Sequence, residues 1–309
     1  MKKRILAVLL SALILANVTA CNNSTSDQES GSTTEASQQE LQPTPAEYFE
    51  YTENEEGGIT ITKYIGKDSN VVIPDAIEDK PVTQIGIEAF RSNLVVSLKM
   101  PDSITKIGGG AFDTCDKLEE ITVSNNLESI GAYAFHKCEQ LKHMKIPSKV
   151  RYIGDQAFTK SGLETLEIEN GIEEFNGYAT FAATQLKQIV LPPSVKLIGN
   201  QTFAGCPNLE SVILNEGLVT IDFKAFCANP KLKGIVIPKT VTTVTDIVFT
   251  QCSRLEKVMF EGDAPSTFKY SDSVSGVWEP YDVHFTVYYH ENAQGFTSPE
   301  WYGYPTANW

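Results

Sequence analysis

The sequence predicts an α/β solenoid of about eight stacked coils, each 22–23 residues long and each adding one short parallel β-strand. Two repeated patterns carry this expectation. The signature Ile-Gly-x-x-Ala-Phe recurs with its first position at Ile85, Ile107, Ile130, Ile153, Phe175, Ile198, Ile221 and Val244, always 22 or 23 residues apart. Between copies lies a second apolar pattern, seen at Leu118, Ile121 and Val123 and again at Leu141, Met144 and Ile146. A unit this small cannot bury its own apolar face, so it must stack on its neighbours.

Residues 1–20 read as an export leader. Lys2, Lys3 and Arg4 precede a short apolar run from Ile5 to Ala16. A dozen residues at about 1.5 Å each cannot cross about 30 Å of hydrocarbon, so the run is a signal and not a span. Val18-Thr19-Ala20 before Cys21 resembles the lipobox of bacterial lipoproteins, which implies acylation of Cys21 and attachment to the membrane by lipid alone. Residues 21–56 are expected to be a disordered tether. From Asp27 to Glu56 this stretch carries nine acidic residues and no Lys or Arg, and repulsion between them keeps such a chain extended. The whole sequence has a formal charge of −14, which disfavours a nucleic-acid partner because phosphate binding needs a basic face.

Residues 57–265 form the array. In each coil the last two apolar positions alternate around one outward residue, which is strand periodicity. Proline follows the strand at Met100-Pro101, Ile146-Pro147, Leu191-Pro192 and Ile237-Pro238, where it ends the ladder and starts a turn. The chain then returns through pairs such as Val150 and Ile153 to Gly154. Ala157 and Phe158 are expected to point inward from a short helical turn. The phenylalanines Phe90, Phe112, Phe135, Phe158, Phe181, Phe203, Phe226 and Phe249 are expected to stack into one spine. The pattern is broken where Phe175 to Phe181 is one residue longer, and where Asn176, Asp222 and Thr245 stand in the glycine position.

The full unit, Ile-Gly-x-x-Ala-Phe-x-x-Cys-x-x-Leu-x-x-Ile-x-Leu-Pro, resembles the leucine-rich repeats of BspA-like bacterial surface proteins over residues 60–265. Ile73-Pro74 with Val82 to Gly86 is similar to that family's opening half-coil, and the run from Val287 to Thr306 to its closing segment. The resemblance implies a leucine-rich-repeat fold, a place at the cell surface and a binding role rather than an enzymatic one. Residues 266–309, which hold Trp278, Trp301, Trp309 and several tyrosines, are expected to cap the last coil. An alternative reading makes these aromatics a platform for sugar rings.

No pattern of catalytic, metal or cofactor chemistry emerges. Cys115, Cys138, Cys206 and Cys252 each sit eight residues after the coil's first position, a recurrence that argues for small buried residues at a turn. Cys115 and Cys138 fall on adjacent coils at a spacing that a disulfide could span, although parallel side chains point the wrong way for one. His136, His143, His284 and His290 match no zinc or triad spacing.

One surface stands out. The outward position of successive strands reads Lys99, Thr122, Lys145, Glu167, Val190, Ile213, Val236 and Met259. At about 4.8 Å between strands, the last four predict an apolar stripe roughly 14 Å long. Val190, Ile213, Val236 and Met259 are therefore the candidate centre of a site for an extracellular protein. Two other readings stay open: cover of the stripe by the C-terminal segment, and self-association of a structural envelope protein.

Overall fold

The computed structural model describes residues 42–245, 247–268 and 284–309. The leader, Cys21, most of the expected tether, Trp278 and Tyr281 lie outside the described residues. No helix among the described residues is long and apolar enough to cross a membrane.

The repeat does build a solenoid, of about ten turns. Its regular structure is almost wholly short β-strands joined by turns, with almost no helix, and this corrects the α/β expectation. Each coil carries two short strands, not one. The front ladder contains the outward residues and includes Ser97–Lys99, Glu120–Thr122, His143–Ile146, Gln188–Val190, Ser211–Ile213, Gly234–Ile237 and Lys257–Phe260. The back ladder passes through the Ile of the signature, for example at Lys106–Ile107, Ser129–Ile130 and Tyr152–Ile153. Within these ladders, strands that pair do so in parallel and in register, Ile107 beside Ile130 and Val236 beside Met259. The front series breaks between Glu120–Thr122 and His143–Ile146, between Thr165–Ile168 and Gln188–Val190, and between Ser211–Ile213 and Gly234–Ile237.

The expected helical turn around Ala157 and Phe158 is absent for a backbone reason. Gln156 and Lys160 take left-handed conformations, with φ of 52° and 60°, and alternating hands cannot propagate a helix. The segment forms successive tight turns instead, with Ala157 N donating to Gly154 O and Ser161 N to Phe158 O. The amides between them donate to the next coil, Gln156 to Tyr178 O, Phe158 to Thr180 O and Lys160 to Ala182 O. Inter-coil hydrogen bonds thus run along three sides of the stack, with breaks in the front and back ladders, leaving few buried amides unpaired.

The phenylalanine spine forms as the spacing predicts. Phe90, Phe112, Phe135, Phe158 and Phe181 follow one another at ring separations of 5.0–5.1 Å, with planes within 19° of parallel. Tyr64 extends the stack at one end, and Phe203, Phe226 and Phe249 at the other.

The back ladder is interrupted once, between Tyr152–Ile153 and Glu174–Phe175. This is where the sequence carries its extra residue. Gly177 lies over Gly154, so close that a Cβ on it would sit 2.7 Å from the Gly154 carbonyl oxygen. Gly177 therefore fills the glycine place of that coil, and Asn176 is the inserted residue rather than a replacement.

The array begins before residue 57, the expected end of the tether. Phe49–Glu53 pairs antiparallel with Ile59–Tyr64, the first strand of the back ladder, so that boundary falls inside a hairpin. Asn54 holds the turn, its Oδ1 accepting from Glu56 N and Gly58 N and its Nδ2 donating to Thr83 Oγ1. At the other end, Thr286–Tyr289 and Tyr304–Asn308 continue the front ladder beyond Lys257–Phe260. Trp301 is buried against Phe260 and Phe296.

Candidate functional site

The front ladder presents its side chains alternately inward and outward, as the two-residue period of a strand requires. Ile189, Val212, Ile235 and Val258 are buried in the core. Their neighbours Val190, Ile213 and Val236 are 50%, 49% and 38% exposed. Met259 is half-buried, and the strand beyond it places Tyr288 beside it. Three of the four stripe residues thus face solvent and the fourth lies partly under the end of the array. The column two residues before them is Gln188 paired with Ser211, and Gly234 paired with Lys257.

The first half of the same face is charged. Lys145 bridges to Glu169 at 2.7 Å and lies 3.7 Å from Glu167. Here the core side of the ladder is less closed, because Ile121 and Leu166 are only half-buried. A shallow groove follows, lined by Ile121, His143, Met144, Lys145, Thr165 and Leu166. One further column escaped the sequence reading, although its signal is plain in the repeat. Three residues before the stripe position stand Glu119, Lys142, Glu164, Lys187, Glu210, Lys233 and Glu256, alternating in charge over seven successive coils. Lys187 and Glu164 bond at 2.8 Å, which raises the affinity of the ammonium for its proton and lowers that of the carboxylate.

These geometries match what comparison with known proteins finds. Residues 67–180 and 177–273 match, in six copies, the family described as BspA type leucine rich repeat region. The chain belongs to that family. Among solved structures it is similar to a leucine-rich repeat protein of T. pallidum, at 29% identity over 71% of this chain and 86% of that one, with a TM-score of 0.46. It is also similar to one from Bacteroides ovatus, at 24% identity over 78% and 70% of the two chains, with a TM-score of 0.53. The pneumococcal vaccine antigen PcpA is a more distant likeness, at 17% identity over 79% and 78%, with a TM-score of 0.37. No curated protein matches the chain.

In this BspA-type array the cysteine column is structural. Cys115, Cys138, Cys206, Cys227 and Cys252 are free, buried thiols. Those of Cys115, Cys138 and Cys252 donate to the phenylalanine carbonyl one coil earlier, at 2.9–3.1 Å. Asn229 occupies the same place and does the same work through Nδ2, at 3.0 Å from Phe203 O. Burial pushes the thiols of Cys115 and Cys252 up to about 12, the opposite of what a nucleophile or metal ligand needs. Among the described residues no group of three or more His, Cys, Asp or Glu is placed to hold a metal ion. His143 lies on the exposed strand face, as its place in the repeat predicts, and meets Thr165 Oγ1. His136 is half-buried, with Nδ1 2.8 Å from Asp113 Oδ1, and His290 stacks on Trp309 at 4.7 Å.

Proposed function

We propose that this BspA-type repeat protein is a lipid-anchored surface protein, held through Cys21, that binds an extracellular protein on its front strand face. The observation that carries the reading is the run of Val190, Ile213 and Val236, at 50%, 49% and 38% exposure, on consecutive coils. Contiguous exposed apolar side chains on a rigid face are the usual centre of a contact surface. Repeat solenoids characteristically use such extended surfaces for binding. The leader and the lipobox-like Val18-Thr19-Ala20-Cys21 supply the anchor.

The test is capture of partners from extracellular matrix, mucus and neighbouring-cell fractions by the exported chain, beside an Ile213→Ser/Val236→Ser variant with native melting. A partner retained by the first and lost by the second supports the reading. Equal capture by both moves the contact off the strand face and overturns it.

A further inference from the structure

We infer that the partner this face fits is a second copy of the same chain, docked strand face to strand face with its coils in the opposite order. The inference rests on the reading of the front face as a protein-binding surface, and adds the identity of what it binds.

The argument comes from the charge pattern beside the stripe. Lys187, Glu210, Lys233 and Glu256 are all exposed and stand on the same four coils as Val190, Ile213, Val236 and Met259. Consider a two-fold axis lying between the two faces, parallel to the strands and midway between the Ile213 and Val236 coils. It brings each column against its own copy in reverse order. Lys187 then meets the second copy's Glu256, and Glu210 meets its Lys233, so all four facing pairs are of opposite sign. Within the stripe, Val190 meets Met259 and Ile213 meets Val236, apolar against apolar. On the far side of the stripe, the exposed Glu216 meets Lys239. Lys257 meets Gln188 and not another lysine. Shifting the axis by half a coil would place Lys233 or Glu210 against its own copy. Shifting it a whole coil toward Val190 would keep the charge pairs but set Glu167 against Val236, so the charges and the stripe together select this register. A contact related by a two-fold axis must be self-complementary in this way.

The face sets the strength. Four coils at about 4.8 Å and seven residues at about 3.3 Å give roughly 440 Å² in projection, the range of a weak, reversible contact. Such a contact between chains anchored on facing or adjacent surfaces gains strength from their number rather than from single affinity.

The test is sedimentation of the exported chain across a concentration series, with two single charge reversals, Glu210→Lys and Lys233→Glu. The expected result is a concentration-dependent dimer, with each reversal weakening association by at least about tenfold, because each sets two like pairs face to face. An equimolar mixture of the two variants should recover association, because Lys at 210 then meets Glu at 233 across the axis. That recovery also shows that both variants are folded. A chain that stays monomeric up to about 1 mM overturns the inference, as does a dimer indifferent to the reversals or a mixture that fails to recover. A monomer that still captures a different protein through Ile213 and Val236 overturns this inference alone and leaves the strand-face reading standing.

Discussion

The thiol of Cys138 donates a hydrogen bond to the carbonyl oxygen of Phe112, 3.1 Å away and one coil earlier. The bond ties this coil to the one before it, and Cys115, Asn229 and Cys252 repeat it in theirs. It also explains why the position tolerates Cys and Asn: each supplies a donor to a buried carbonyl that water cannot reach. Cys115 and Cys138 use their sulfurs in parallel rather than toward each other, and both remain thiols.

The first prediction follows from that bond. Cys138→Ala should cost about 1 kcal/mol, read by thermal melting, because it removes one of the two hydrogen bonds that the Phe112 carbonyl accepts, the other coming from Cys115 N. Burial raises the thiol pKa above its unfolded value, to about 12 at Cys115 and Cys252. A raised acid favours folding while it stays protonated, so this contribution is fully present below about pH 9 and fades as pH climbs from there toward 12. Melting temperatures should fall over that window, and a variant with Ser at both positions should fall less. Alkylating reagents at neutral pH should label these cysteines only on unfolding.

A second prediction concerns close backbone approach. A Cβ on Gly154 would lie 2.4 Å from the amide nitrogen of Ala132 in the preceding coil. Gly154→Ala should therefore push two coils apart and cost at least about 2 kcal/mol. A variant that melts like the parent would show that the coils are not stacked this tightly.

Lys160 offers a change in the other direction. It is exposed and left-handed, and Gly205 stands in the same place of a later coil at φ 69°. Replacing Lys160 with Gly should stabilise the array by about 0.5–1 kcal/mol, and with Val should destabilise it by about 1–2 kcal/mol. Chemical denaturation of the pair gives the comparison, and the order of the two is the outcome that matters.

The front strands allow a test of register one residue wide. Ile235 is 2% exposed and Ile213 is 49% exposed, on neighbouring coils. Ile235→Ser should lower stability by about 3 kcal/mol or more, and Ile213→Ser should leave it within about 0.5 kcal/mol. Similar losses at both would mean that the stripe is covered.

Much of the fold is legible in the chain because each repeat states it again. The spacing of Phe112, Phe135 and Phe158 sets the spine, and the alternation around Val190 and Ile213 sets which side chains face out. The alternating charges from Glu119 to Glu256 were equally visible, but they become a surface feature only once the coils are stacked in register. The second strand of each coil was missed because Lys106–Ile107 and Ser129–Ile130 are only two residues long, too short for a period. The turn around Phe158 misled for a related reason: nothing in Gln156 or Lys160 announces a left-handed backbone.

Residue order alone therefore determined the repeat, its length and its inward and outward faces, since these depend on local periodicity and on the need of each small unit to bury its apolar side. Stacking decided the rest. Left-handed residues, the placing of Gly177 over Gly154 and the pairing of Cys138 with the Phe112 carbonyl arise from contacts between coils. Such contacts join residues more than twenty positions apart, and their energies exceed the local preferences that a single segment expresses.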